Sequence, residues 1–209
     1  MPTYCEFEVS LKDIRPRIWR RFLLEASGTF QHLHDAIQDA SGAWVDGHLH
    51  SFRASVRDRA DICGTPGDPD DVFETDPVRD SRKVRLRDWF PAVVPAGSRP
   101  GCVYAYDFGD GWMADVRLRR IVELPERFHR RLVAGALRFP PEDCGGPWGY
   151  QECLAVLAWS AGGPCPEDGD PAEWRERLEW LGEWRPDWDP DAEKAEFDTA
   201  RPVRRVRDG

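Results

Sequence analysis

Hydrophobic and polar residues alternate along the first part of the chain, which is the period of a half-buried strand. Cys5, Phe7, Val9 and Leu11 fall on one face of residues 4–11. Ile14-Arg15-Pro16 interrupts the pattern, and it resumes over 17–25 with Ile18, Arg20, Phe22 and Leu24 opposite Trp19, Arg21 and Leu23. Together the two runs predict an opening hairpin with a longer loop. Ser27-Gly28-Thr29 then supplies helix-start chemistry, and the period lengthens. Phe30, Leu33, Ile37 and Ala40 mark the buried stripe of a helix over about 30–40, with His34 and Gln38 on its border. Ser41-Gly42 ends that helix.

Alternation returns over 48–56, where His48, His50, Phe52, Ala54 and Val56 share a face. The strand rise puts the two imidazoles about 7 Å apart at Cβ. That spacing suits a shared metal and equally suits two hydrogen-bonded core histidines. Residues 58–82 are rich in Asp, Gly and Pro and read as a long loop, followed at 84–90 by a short strand or helix turn. Cys102 to Phe108 alternate again, Asp110-Gly111 is the signal of a type I′ hairpin turn, and a return strand runs from Trp112 to about Val122. Pro125 to Arg138 predicts a basic helix or turn-helix. Gly145-Gly146-Pro147 forces a turn, after which Tyr150, Cys153, Leu154 and Leu157 mark a helix from near Gly149. An amphipathic helix over about Ala172–Trp184 belongs to an acidic segment spanning about 165–200. These elements predict a single α+β domain over 1–209: a mostly antiparallel sheet of about five strands, near 4–11, 17–25, 48–56, 102–108 and 112–122, with helices packed on one face.

Charge narrows the function classes. A formal charge of -9 over 209 residues argues against a general nucleic-acid coat and against an anionic-membrane binder. The charge is uneven, because Arg15, Arg17, Arg20 and Arg21 cluster early while the stretch from Glu167 to Asp198 is strongly acidic. Arg15, Arg17 and Arg21 read as solvated charges, with phosphate reading as the alternative. Residues 1–6 lack the basic and apolar regions of a signal peptide, and no apolar run approaches membrane-spanning length, so the expected location is cytoplasmic. The six cysteines include no C-x-x-C pair and read as reduced, mostly buried thiols.

The residues with chemistry to offer are His34, Gln38, His48, His50, Asp107, Asp110, Glu142, Asp143 and Cys144. The three imidazoles are expected to converge and to approach Asp107, Asp110 or Glu142. A metal, if held, would take His34, His48, His50 and Asp107, and such mixed ligands suit zinc, manganese or iron. Asp107 and Asp110 read first as bonding to turn amides, with a pair of carboxylates held at a site as the alternative. Cys144 precedes a helix start, which favours a thiolate, while Glu142 and Asp143 oppose it, so Cys144 reads as structural. No G-x-S-x-G, P-loop or G-x-G-x-x-G is present. The leading reading is a non-enzymatic binding module for a protein or nucleic-acid partner, with no cofactor. The alternative is a metal-dependent hydrolase or nuclease. A third reading gives the polar residues a purely structural role.

Four blocks also carry a family resemblance. They are Ile18-Trp19-Arg20-Arg21, then Leu33 to Gln38 with His48-Leu49-His50-Ser51-Phe52, then Tyr104 to Trp112, and Pro140 to Tyr150. With Trp188-Asp189-Pro190 and Phe197-Asp198, the chain resembles the plasmid pRiA4b ORF-3-like family over nearly its whole length. The resemblance implies a compact α+β fold and a bacterial protein, in a family that includes insertion-sequence passengers and so has an association with mobile elements. It also implies a histidine where this chain has Ala114 and a glutamate where it has Arg119, so the family's site would be altered here.

Overall fold

The computed structural model describes residues 1–57, 60–66, 78–165, 170–191, 194 and 197. Its strands are β1 (Thr3–Leu11), β2 (Trp19–Glu25), β3 (His50–Arg53), β4 (Asp61–Gly64), β5 (Gly101–Tyr106), β6 (Trp112–Glu123) and β7 (Arg130–Ala136). Its named helices are α1 (Phe30–Ser41), α2 (Gly146–Ser160) and α3 (Pro171–Leu181). The strands form one seven-stranded sheet in the order β4-β3-β5-β6-β1-β2-β7, and every named pair in it is antiparallel. The fold is therefore α+β, with two strands more than the five expected.

Period two explains which face is buried. Cys5, Phe7, Val9 and Leu11 of β1, Phe22 and Leu24 of β2, and Trp112, Ala114, Val116 and Leu118 of β6 join one core cluster with Phe30, Leu33 and Ile37 of α1. Tyr150, Cys153 and Val156 of α2 enter the same cluster. α1 starts where Thr29 accepts from the His32 amide, while His32 Nδ1 accepts from the Thr29 amide at 3.0 Å. It stops at Gly42, which takes a φ of 65°.

Four expectations need correction. The basic helix expected over Pro125 to Arg138 is replaced at 130–136 by β7, which pairs Leu132 with Phe22 and Arg131 with Leu23. β2 would otherwise present an open edge, and β7 satisfies its backbone groups. The loop expected over 58–82 contains β4, which pairs with β3, while residues 58–59 and 67–77 lie outside the described residues. The strand expected over 48–56 is only His50–Arg53, so His48 precedes it and does not share its pleat. The hairpin between β5 and β6 stands, but its loop is the five residues 107–111, not a type I′ turn. Asp107 (φ 49°) and Gly111 (φ 70°) have positive φ, Asp110 does not, and the Gly111 amide donates to the Asp107 carbonyl at 2.7 Å. Of the acidic segment, residues 166–169, 192, 193, 195, 196 and 198–200 lie outside the described residues.

Candidate metal centre

The site is built where two glycine-bearing loops interlock. In the 107–111 loop, Asp107 Oδ1 accepts from the amides of Gly109 (3.1 Å) and Asp110 (3.2 Å). Those bonds hold the carboxylate, and Oδ2 lies 3.7 Å from His48 Nε2. Asp110 Oδ2 accepts from the amide of Gly145 at 3.0 Å and joins the hairpin to the start of α2. Gly146 makes that approach feasible: it has a φ of 68°, and a Cβ there would sit 2.1 Å from the Asp110 carbonyl oxygen.

The second loop delivers Glu142 and Asp143. Glu142 Oε1 accepts from the Tyr106 hydroxyl at 2.6 Å, and Oε2 accepts from the Val45 amide. Burial and then this carboxylate push the Tyr106 phenol well up, so it remains a donor. Asp143, at a φ of 57°, puts Oδ1 3.0 Å from His48 Nε2, and Glu142 Oε1 is 3.8 Å from the same nitrogen. Ligand atoms of His48, Asp107 and Asp143 all lie within 4.8 Å of one another, the one such trio among the described residues. Asp107 is buried, His48 half-buried and Asp143 exposed, so the centre opens to solvent.

The other two histidines form a separate, buried network. The His34 and His50 rings stack with centroids 3.6 Å apart and planes 12° from parallel. His34 Nε2 donates to Asp46 Oδ1 (2.7 Å), and its Nδ1 therefore accepts from the Tyr104 hydroxyl (2.8 Å). Gln38 Nε2 donates to that hydroxyl at 2.9 Å, and the Asp46 amide donates to Gln38 Oε1 at 3.2 Å. These four bonds close a ring through Gln38, Tyr104, His34 and Asp46. His50 bonds to Thr65 Oγ1 (3.0 Å) and Ser81 Oγ (3.3 Å), and Ser81 donates to Gln31. Burial and then its neighbour His34 push the His50 pKa down to about 2.

The expected convergence of three imidazoles is thus replaced by a division. His34, Gln38 and His50 meet in the core, and the helix-border position expected for His34 and Gln38 is in fact buried. His48 meets Asp107, Glu142 and Asp143 at the surface. Asp110 and Cys144 belong to the loop interlock. Cys144 is 1% exposed, with its thiol pushed up first by its hydrogen bond with Cys153 and then by burial. The sequence assigns no chemical role to Tyr104, Tyr106 or Asp46. The tyrosines had a usable signal, since both fall on the inward face of β5, where a hydroxyl needs a partner. Asp46 had none, because its role depends on a loop turn at a φ of 58°. Neither of the two departures touches the surface centre. Ala114 is buried opposite Tyr104, and Arg119 lies 3.9 Å from Glu8 on the far side of the sheet.

A family model described as "Plasmid pRiA4b ORF-3-like protein" matches residues 3–197. The chain is 34% identical over 177 residues to "Uncharacterized protein y4hQ" of Sinorhizobium fredii (strain NBRC 101917 / NGR234), covering 84% of this chain and 79% of that one. It is also similar to the crystal structure of MM3350, a protein of unknown function from Methanosarcina mazei Go1, with a TM-score of 0.72 and 30% identity. That likeness covers 93% of this chain and 97% of the other. From the start of β1 to Phe197, the chain belongs to the plasmid pRiA4b ORF-3-like family.

Proposed function

We propose that the protein is a metal-dependent hydrolase whose divalent ion is held by His48, Asp107 and Asp143. The observation that supports this is the meeting of one imidazole and two carboxylates, from three separate loops, with ligand atoms within 4.8 Å. The donor set fits zinc or manganese. Asp107 is already oriented by two amides, the kind of support that positions a ligand before the ion arrives. Such an ion, when bound, polarises a substrate oxygen and activates water. Glu142 is gripped by Tyr106 and the Val45 amide within 3.8 Å of His48, a place from which a carboxylate can take a proton from water.

The test is metal analysis of untagged protein, with thermal melts in chelator. Stoichiometric zinc or manganese is expected, together with a melting temperature that falls on chelation and recovers on adding the ion back. His48→Ala and Asp143→Asn are expected to remove the metal while leaving the fold intact, because both side chains reach solvent. Metal at trace level with a melt indifferent to chelator would overturn the reading. A panel of chromogenic phosphoesters and esters then identifies the bond cleaved. The second reading, a non-enzymatic interaction module associated with mobile elements, is favoured by exposed apolar residues beside the centre. Val45 (67% exposed), Leu49 (53%) and Phe108 (53%) each adjoin one of its residues.

A further inference from the structure

The face of the sheet turned away from α1 and α2 carries a different chemistry. Its residues come from the other half of each alternation and include Glu6 and Glu8 of β1, Trp19, Arg21, Leu23 and Glu25 of β2, and Asp115 and Arg117 of β6. Glu8 pairs with Arg17 and Arg21, both at 2.8 Å, and lies 3.9 Å from Arg119. Glu6 pairs with Arg120 at 2.7 Å. Asp115 meets Lys12 at 3.6 Å and Arg117 at 3.4 Å. Six cations therefore surround three carboxylates, on a chain whose formal charge is -9. The cationic ends are open to solvent: the side chains of Arg17, Arg119 and Arg120 are 54%, 45% and 65% exposed.

Two further features adjoin these charges. Trp19 is half-buried, with the guanidinium carbons of Arg17 and Arg21 at 5.5 and 5.3 Å from its ring centroid. At the other end, Arg119 and Arg120 open into a groove of about 540 Å³ that is also walled by Thr3, Val94, Pro95 and Glu123. The strand rise and spacing put Trp19 and the groove about 16 Å apart across the face.

We propose that this face binds single-stranded DNA, with phosphates on Arg17, Arg119 and Arg120, a base stacked on Trp19 and a nucleotide further along the same strand at the mouth of the groove. The excess of arginine complements a polyanion, and charge supplies most of the affinity of such contacts. The guanidiniums of Arg17 and Arg21 lie over the Trp19 ring, and a base stacks there by taking the place of one that moves to a phosphate, which a single strand allows and a stacked duplex does not. This surface is separate from the His48 centre and does not depend on a metal.

The test is fluorescence anisotropy of a labelled oligothymidylate with the full chain in chelator, so that the result is independent of the metal reading. Binding is expected at low salt and should weaken steeply as salt rises. Arg17→Gln and Arg120→Gln are each expected to weaken it about threefold to tenfold and to reduce the salt slope by about one. Trp19→Leu is expected to weaken binding with little change in the salt slope, a split that mere loss of charge would not produce. Melting temperatures of the variants check that each is folded, and the two single arginine variants keep the assignment testable if Trp19→Leu fails to fold. Weaker binding of a duplex of the same sequence is expected. Oligouridylate is expected to bind beside oligothymidylate through its phosphates. No binding at low salt, affinity unchanged in all three variants, tighter binding of the duplex, or binding of the RNA alone would each overturn the assignment.

Discussion

At the scale of single residues, His50 shows how burial determines chemistry. It stays neutral in the folded chain down to about pH 2, whereas a free imidazole takes a proton near 6.5. Below 6.5 the unfolded chain therefore binds more protons than the folded one, and acid favours unfolding. Stability is expected to fall by up to about 1.4 kcal/mol per pH unit between pH 6.5 and 5, with the slope flattened in His50→Gln. Calorimetric melts across that range measure it, and a wild-type slope no steeper than that of the variant refutes it. His50→Ala is expected to cost about 1–3 kcal/mol at neutral pH, because Thr65 and Ser81 lose their partner. The residue types at this position were legible in the sequence, but the division of labour was not. Period two placed His48 beside His50, and the late start of β3 separates them. Two residues of strand boundary decide whether an imidazole packs in the core or meets carboxylates at the surface.

At the scale of elements, two glycines of nearly equal φ make a controlled comparison. Gly111 (φ 70°) has open space where a Cβ would be, while Gly146 (φ 68°) has the Asp110 carbonyl oxygen 2.1 Å away. Gly111→Ala is expected to cost about 1 kcal/mol from backbone strain alone. Gly146→Ala is expected to exceed it by at least about 1–2 kcal/mol, since the hairpin loop and α2 must also move apart. Urea titrations of the pair decide this, and equal losses would mean the two loops are not locked together. Both glycines were legible as turn formers, because Gly next to Asp, Gly or Pro has a strong local meaning. β7 was not legible. The run Arg130 to Ala136 takes its conformation from the edge of β2, a partner remote in sequence.

At the scale of the whole molecule, Arg20 ties separate parts of the chain together. It is 1% exposed, and it donates to the carbonyls of Ala40 (2.8 Å) and Leu137 (2.7 Å). Its guanidinium also lies over the Phe139 and Trp188 rings at 5.1 and 4.4 Å. Arg20→Met is expected to cost about 3–5 kcal/mol in thermal melts, because the bonded carbonyls stay buried without a donor. A loss below about 1 kcal/mol would show that the tie is dispensable. The alternation of β2 put Arg20 on the inward face, but nothing local indicated the segments it would join. β1 depends on remote chain in the same way. It lies between β2 and β6, and the register pairs Thr3 with Glu123. Ribosomes add roughly 5–20 residues per second, so after β1 and β2 are made the β6 side of β1 waits on the order of 5–20 s for its partner. During that interval Phe7 and Val9 sit on a strand with an unpaired edge, beside other nascent chains of the same sequence on one messenger. The yield of this protein in a cell should therefore respond to the speed of translation and to the supply of nascent-chain chaperones, even where its equilibrium stability is unchanged.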